Sequence, residues 1–126
     1  MGQEIQSYRD LVVWQKAMTL AAECYRETAT FPKAEMYGLT SQIRRAAASV
    51  PANIEEGHGR ESTGSFIQAL RVAQGSLKEL ETHVYLAERV DIMPSETMKE
   101  LLTGCETVGK LLRSLIRSLQ AKQANT

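Results

Sequence analysis

The segment FIQALRVAQGSLKELETHVYLA, residues 66–87, decides the fold of this 126-residue chain. Its apolar residues follow one another at alternating steps of four and three: Phe66, Leu70, Ala73, Leu77, Leu80, Val84 and Ala87. On an α-helix this spacing forms a single stripe, the seam along which nearly parallel helices pack. A β-strand repeats at every second residue and cannot produce the pattern. The segment therefore predicts a long helix whose apolar stripe is covered by other helices.

Three further segments carry the same alternation. Their apolar positions are Leu11, Trp14, Met18, Ala21 and Tyr25; Met36, Leu39, Ile43, Ala46 and Val50; and Met98, Leu101, Cys105, Val108, Leu112, Leu115 and Leu119. Breaks in the pattern predict helices over about 10–30, 34–57, 62–91 and 95–120, the last two capped by Ser62 and Ser95. Because short connectors favour antiparallel neighbours, we predict an all-α fold, a single domain over 1–126 in the form of an antiparallel up-down-up-down four-helix bundle.

The composition excludes few functions by itself. Fifteen Lys and Arg residues balance fifteen Asp and Glu residues, so the net charge creates no general attraction to nucleic acid or anionic membranes. No signal-peptide pattern is present and no apolar run reaches the roughly 18 residues of a membrane span, which predicts a cytoplasmic protein with no membrane partner. Cys24 and Cys105 fall on apolar stripes, which favours inert core thiols over a disulfide or redox pair.

A proline interrupts the second predicted helix, in the stretch SQIRRAAASVPANIEEGHGR at residues 41–60. Pro51 has no N–H with which to bond the carbonyl of Ala47, yet the apolar alternation continues past it. We therefore predict that helix two is kinked at Pro51 but continuous. The alternative is a pair of helices that meet at Ser49, with Pro51 in the first turn of the second.

Asn53 and Gly57 are interpreted as structural residues. Asn53 stands on the apolar stripe, where a buried amide must be hydrogen-bonded. We predict that it bonds a carbonyl freed by Pro51 or a polar group on a facing helix. Gly57 is predicted to end the helix, so that Gly57, His58 and Gly59 form a turn. A phosphate-binding loop is disfavoured because no strand precedes these residues and no Gly-Lys-Ser/Thr follows them.

The two histidines give little support to a catalytic function. A di-iron site in a helical bundle needs paired Glu-x-x-His motifs, and Glu55 with His58 supplies the spacing once. Glu79 and His83 lie four residues apart on helix three, a spacing typical of a surface pair. The Arg-to-His spacing of HEPN-type ribonucleases is absent. We therefore predict no enzymatic activity, no metal site and no cofactor.

Several runs of the sequence resemble one known family. YRDLVVWQKA, FPKAEMYGLTSQIRRAAASVPANIEEGHGR and GSLKELETHVYLAERV are similar to the four-helix-bundle proteins encoded in intervening sequences of bacterial 23S rRNA genes. The resemblance spans about Tyr8 to Leu119 and implies a bundle that assembles into homopentamers without an established enzymatic activity. A more distant similarity, to the accessory variability protein of diversity-generating retroelements, implies a pentamer that binds a reverse transcriptase and nucleic acid. That relative is typically basic, whereas this chain has no net charge.

Five basic residues are candidates for contacts with nucleic acid. Arg44 and Arg45 are adjacent on helix two, and Lys110, Arg113 and Arg117 recur at helical spacing in a stretch without acidic residues. One interpretation is a solvated face with favourable positive charge near a helix C-terminus. The other is a stripe that contacts phosphates and is multiplied by oligomerisation. For Arg44 and Arg45, a structural pairing inside the bundle or between subunits is equally open.

Two functions follow as hypotheses. The first is a non-catalytic homo-oligomeric adaptor that binds RNA or an RNA-associated protein. The second is a protein-binding scaffold, such as an accessory subunit of a reverse transcriptase. Self-association is predicted from apolar residues outside the stripes: Val13, Leu20, Ile67, Leu86, Leu102 and Ile116. The pentameric stoichiometry comes from the resemblance alone.

Overall fold

Four α-helices account for most of residues 7–125, the part of the chain that this computed structural model describes. They are α1 (Val12–Thr28), α2 (Leu39–His58), α3 (Thr63–Arg89) and α4 (Ser95–Ala124). Two short 3-10 helices, Tyr8–Asp10 and Lys33–Glu35, precede α1 and α2, and no strand occurs within the described range. The predicted all-α fold is confirmed.

The helices pack in a circuit around one core. Each helix lies beside the next along the chain, and α1 lies beside α4. α2 and α4 are diagonal, and no described Cα of one comes within 8 Å of a Cα of the other. The largest fully buried aliphatic side chains come from three helices: Ile43, Ile54, Leu70, Leu80, Leu101 and Leu112. Each contributes about 1.5–3 kcal/mol by leaving water. The packing is that of a four-helix bundle; the antiparallel direction of the helices and a kink at Pro51 stay predictions.

The buried stripe of α1 differs from the predicted one. Met18 and Tyr25, predicted to face the core, are 44% and 46% exposed. The other predicted residues do face the core: Ala21 is buried, and Leu11 and Trp14 are partly buried against it. The neighbouring row, Val13, Ala17, Leu20 and Cys24, is buried as well. Both rows are apolar, but the neighbouring one carries smaller side chains that let α1 approach α4 closely. Leu20, for example, lies against Gly104, where the side chain of any larger residue would displace it.

The structure removes most of the basis on which self-association is predicted, namely the surplus apolar residues. Four of the surplus apolar residues, Val13, Leu20, Ile67 and Ile116, are at most 8% exposed and belong to the core. Leu102 is partly buried against that core, and Leu86 remains 44% exposed. The argument from surplus apolar residues was therefore largely wrong. Other apolar side chains are exposed in their place, including Tyr25, Val72 and Val90.

Several helix ends differ from the predicted ones. α2 begins at Leu39, five residues later than predicted, after the 3-10 turn Lys33–Glu35, and the Glu35 carboxylate accepts a hydrogen bond from the Leu39 N–H at 3.0 Å. Ser62 caps α3 as predicted, accepting from the Ser65 N–H at 3.1 Å. Ser95 does not act as the N-cap, since that position falls on Pro94. α4 continues to Ala124, beyond the predicted end at 120, because the sequence after Gln120 contains no Gly or Pro to stop it.

α2 runs without interruption through Pro51, which is buried inside the helix. The alternative of two helices meeting at Ser49 is therefore wrong. Gly57 is also within the helix, so it does not form the predicted turn; His58 is the last helical residue and Gly59 the C-cap. A Cβ added at Gly57 would lie 2.7 Å from Ala69 Cβ and 2.9 Å from Phe66 Cδ1. The glycine permits a close approach of α2 to α3.

The two cysteines are free thiols in the core. Cys24 and Cys105 are 0% and 1% exposed. Burial raises the pKa of each thiol to about 12, and neighbouring carboxylates add to the effect. A thiol that stays protonated is a poor nucleophile and a poor metal ligand. Both residues therefore behave as small apolar side chains.

Candidate nucleic-acid interface

Arg44 is docked on the C-terminal end of α1. Its Nε donates to Thr28 Oγ1 at 2.9 Å, and its Nη2 donates to the Tyr25 carbonyl at 3.2 Å. The guanidinium carbon also lies 4.8 Å from the centroid of the Tyr25 ring. The carbonyl end of a helix carries partial negative charge, so a cation there stabilises α1. Arg44 therefore has a structural contact within the bundle, with a hydroxyl, a carbonyl and a ring as partners instead of an acidic side chain.

Arg45 is exposed and forms no hydrogen bond or ion pair with another described residue. It lies on the outer side of α2, one turn before the exposed Ala48. The adjacent arginines of the sequence thus have different environments. Arg45 is free to meet an anion, whereas Arg44 is already held by α1.

The basic residues of α4 form a stripe along one side of the helix, and we call Lys110, Arg113 and Arg117 the α4 stripe. All three side chains are exposed. Lys110 pairs with Glu106, one turn earlier, at 3.1 Å. Arg113 borders a polar cleft between α3 and α4 that Glu81 and Glu106 also line. Neither Arg113 nor Arg117 forms an ion pair with another described residue, so the two guanidinium groups are the free part of the α4 stripe.

A single chain does not bring the two basic groups together. Arg45 is on α2 and the α4 stripe is on α4, and the described parts of these two helices are diagonal in the bundle, with no Cα atoms within 8 Å of each other. They are held apart by α1 and α3, which lie on either side. One nucleic-acid strand could reach both groups only by crossing the bundle or by contacting two copies of the chain.

An open apolar groove between α1 and α2 was missed by sequence reasoning. It has a volume of about 430 Å³ and is lined by Tyr8, Trp14, Met18, Ala21, Ala22, Tyr25, Ala48, Pro51, Ala52 and Glu55. We call it the α1–α2 groove. Two of its aromatic residues, Trp14 and Tyr25, are assigned by periodicity to the core stripe of α1, and its floor consists of small side chains from both helices. The recurrence of alanine on facing sides of the two helices was the available signal.

Asn53 takes part in a small polar network between α2 and α3. Its Nδ2 donates to the Ser49 carbonyl at 2.8 Å and to Ser49 Oγ at 3.0 Å. Ser49 Oγ is in turn 2.8 Å from Ser76 Oγ of α3. Asn53 is half-buried, and its partner is Ser49 of the same helix, which is neither the carbonyl of Ala47 that Pro51 leaves unbonded nor a group on a facing helix. Ser49 carries the link to the facing helix.

The carboxylate–histidine pairs remain isolated pairs. His83 Nε2 lies 3.7 Å from Glu79 Oε1, one turn apart on α3. His58 packs edge-on against Phe66, with ring centroids 5.7 Å apart. Within residues 7–125, no group of three or more His, Cys, Asp or Glu side chains is arranged to hold a metal ion. Among those residues, no helix has the length and apolar character needed to cross a membrane.

The fold and its surface define an all-α four-helix-bundle protein with free cations on two separate sides. Residues 9–114 match the sequence profile of the 23S rRNA-intervening sequence proteins, and the chain therefore belongs to this family. A crystal structure from Bacteroides thetaiotaomicron, described as a protein of unknown function from the S23 ribosomal protein family, has a similar fold with a TM-score of 0.75. The two sequences are 26% identical, and the match covers 83% of this chain and 98% of the other. No curated protein sequence matches the chain.

Proposed function

We propose that this protein is a non-catalytic, self-associating adaptor that binds RNA through exposed arginines. The observation that carries the proposal is the pair of free guanidinium groups, Arg113 and Arg117, one turn apart on α4. Arginine donates several hydrogen bonds in a planar fork that matches phosphate oxygens. The family's name, which refers to the 23S rRNA, agrees with an RNA partner.

Affinity in this proposal depends on assembly. Of the five basic candidates, Lys110 already pairs with Glu106 and Arg44 with α1, so one chain offers about three phosphate contacts, from Arg45, Arg113 and Arg117. Contacts of that number give weak binding at physiological salt. Several copies held in one assembly engage more phosphates at once and raise the effective concentration of each site. Five copies, as the family resemblance implies, would present five pairs of free arginines.

An apolar row on α3 supports self-association. Val72, Leu86 and Val90 are 48%, 44% and 49% exposed. Leu86 and Val90 are one turn apart at the C-terminal end of α3, and Val72 lies on the same side about 21 Å earlier, with Gly75, Glu79 and His83 between them. The exposed apolar pair at this helix end is the part of the row that offers a contact surface to another chain. We assign this row to contacts between copies of the chain.

The row on α3 also favours the second candidate function, a scaffold that binds a different protein such as a reverse transcriptase. The two candidates differ in what the arginines do. An adaptor for RNA needs Arg113 and Arg117, whereas a scaffold that uses the α3 row does not.

RNA binding across a salt series tests the proposal. Replacing Arg113 and Arg117 together by glutamine should weaken binding similarly for different sequences and flatten the salt dependence by about two phosphate contacts. Both side chains are exposed, so the fold should be unchanged. Lys110→Gln is the matched control, because its charge is already paired with Glu106 and its loss should have a smaller effect. Wild-type affinity in the double variant, or no binding of wild-type protein at low salt, contradicts the proposal and favours the scaffold.

Light scattering tests the assembly separately. Wild-type protein should have the mass of several copies at micromolar concentration, and Leu86→Lys should shift it toward the monomer. A monomer mass for the wild-type protein removes the avidity part of the proposal.

A further inference from the structure

We infer that the α1–α2 groove stacks unpaired bases of single-stranded RNA. This inference rests on the proposed function and adds to it a binding surface and a preference for unpaired over double-stranded RNA. Single-stranded nucleic acid is commonly held by aromatic side chains that stack on bases and by cations that follow the backbone. The groove has both features.

Its aromatic residues stand toward two ends of an open floor. Tyr8 and Trp14 lie together in an edge-to-face contact, with ring centroids 5.2 Å apart. Tyr25 is eleven residues beyond Trp14 on α1, a rise of about 16 Å. Between them, the floor is made by Ala22, Ala48 and Ala52, whose short side chains leave room for flat rings.

Arginines surround this floor. Arg9 lies over the Tyr8 ring with its guanidinium carbon 5.7 Å from the centroid, and Arg44 lies over Tyr25 at 4.8 Å. Arg45 and Arg26 are also exposed, and each is three or four residues from an alanine of the floor. The charged residue among the lining side chains is Glu55, and Glu56, four residues from Ala52, is already paired with Arg60. Positive charge therefore exceeds unpaired negative charge around the floor, and this charge balance favours a nucleic acid over an apolar protein segment as the occupant.

The stacked arginines are part of the proposed site. Arg44 uses its Nε and Nη2 on α1, so its Nη1 is the nitrogen left to donate to a phosphate, whereas the Arg9 guanidinium forms no hydrogen bond with another described residue. The Tyr25 side chain keeps 46% of its surface exposed while it contacts Arg44. It therefore has free ring surface for a base.

Trp14 provides a direct measurement, because it is the only tryptophan in the sequence. The wild-type protein is titrated with a single-stranded RNA of about ten nucleotides, a length within the usual site sizes of single-strand-binding domains. The probes for comparison are an abasic strand of the same length and a double-stranded RNA. We expect the single strand to quench Trp14 emission strongly, and the abasic strand and the duplex to leave it nearly unchanged.

Three substitutions test whether the single strand binds in the α1–α2 groove. Tyr25→Leu should weaken binding of the single strand between about 5- and 150-fold, the range for losing one stacked base. Tyr25→Phe keeps the ring and should restore near-wild-type binding. Tyr85→Leu is the matched control, because Tyr85 is 54% exposed on α3 and does not line the groove. It should bind like the wild-type protein.

The outcomes separate the two proposals. RNA binding that leaves Trp14 emission unchanged and is not weakened by Tyr25→Leu overturns the groove and leaves the α4 stripe as the site. Equal quenching by the abasic strand also overturns it, since no base is then needed. A Trp14 emission that changes with protein concentration and not with RNA identifies the groove as a contact between copies and overturns the inference. Absence of RNA binding at low salt overturns both proposals.

Discussion

The close approach of α2 to α3 at Gly57 can be tested with a single methyl group. In Gly57→Ala the new Cβ would lie 2.7 Å from Ala69 Cβ and 2.9 Å from Phe66 Cδ1. Ordinary contacts between carbon atoms are about 3.5–4.0 Å, so the overlap approaches 1 Å. Phe66 can rotate, but Ala69 Cβ is fixed to its backbone, and α2 and α3 must therefore separate.

Two opposing effects determine how much Gly57→Ala changes the free energy of unfolding. Overpacking of this kind costs about 1–3 kcal/mol. Alanine gains up to about 1 kcal/mol over glycine through helix propensity, and less in the last turn where this residue lies. We therefore expect Gly57→Ala to lower the free energy of unfolding by about 0.5–2 kcal/mol.

Gly75→Ala is the matched control for this prediction. Gly75 lies inside α3, is exposed, and has no atom within 4 Å of an added Cβ. The same substitution should therefore raise the free energy of unfolding by about 0.5–1 kcal/mol. Both variants are unfolded in urea and followed by far-ultraviolet circular dichroism, at one protein concentration because self-association would shift the midpoint. A Gly57→Ala protein as stable as Gly75→Ala would show that the helices do not approach as described.

Two further predictions concern the arginine pair and the cysteines. Arg44→Met should destabilise the fold by about 1–2 kcal/mol, because it removes the bond to Thr28 and the charge at the end of α1, whereas Arg45→Met should change stability by less than about 0.5 kcal/mol in the same urea assay. Cys24 and Cys105 should resist alkylation near pH 8 in the native protein and react rapidly in denaturant, because burial raises the pKa from 9.0 to about 12 and lowers the thiolate fraction about a thousandfold. The stability that comes from these protonated thiols is complete below about pH 9 and is lost as the pH rises from 9 toward 12. Rapid alkylation of the native protein, or equal effects of the two arginine variants, would contradict these assignments.

The stripe of α3 was predictable because one row of that helix is strongly apolar. Its residues from Leu70 to Ala87 are buried as the spacing indicates. α1 differs because it has two apolar rows, one with Trp14, Met18 and Tyr25 and the other with smaller residues. Periodicity gives the spacing of apolar residues within a row, but it does not tell which of two apolar rows is buried. The choice was made by the neighbouring helix, where Gly104 admits Leu20.

The surface was less predictable than the core for a related reason. Sequence spacing places Arg44 and Arg45 side by side, but a helix turns by about 100° between them, and the two side chains meet different surroundings. Arg44 faces the end of α1, which the sequence locates only once the packing partner of α2 is known. The α1–α2 groove was missed because two of its aromatic residues, Trp14 and Tyr25, were assigned to the core. In the structure Tyr25 is 46% exposed, whereas Trp14 packs partly against the core while it also lines the groove.

The separation of the basic groups has a consequence for how RNA could be bound. The α1–α2 groove and the α4 stripe lie on different sides of one bundle, because α2 and α4 are on its diagonal. A strand that leaves the groove must cross either α1 and α4 or α2 and α3 before it reaches Arg113, which borders the cleft between α3 and α4. In an assembly, the α4 stripe of one copy can instead lie next to the groove of its neighbour. Bases would then stack on one chain while phosphates contact the next. In that case the effects of Tyr25→Leu and of Arg113→Gln/Arg117→Gln on RNA affinity would be coupled only in the assembled protein. Strictly additive effects of these substitutions on RNA affinity would mean that the two surfaces bind independently.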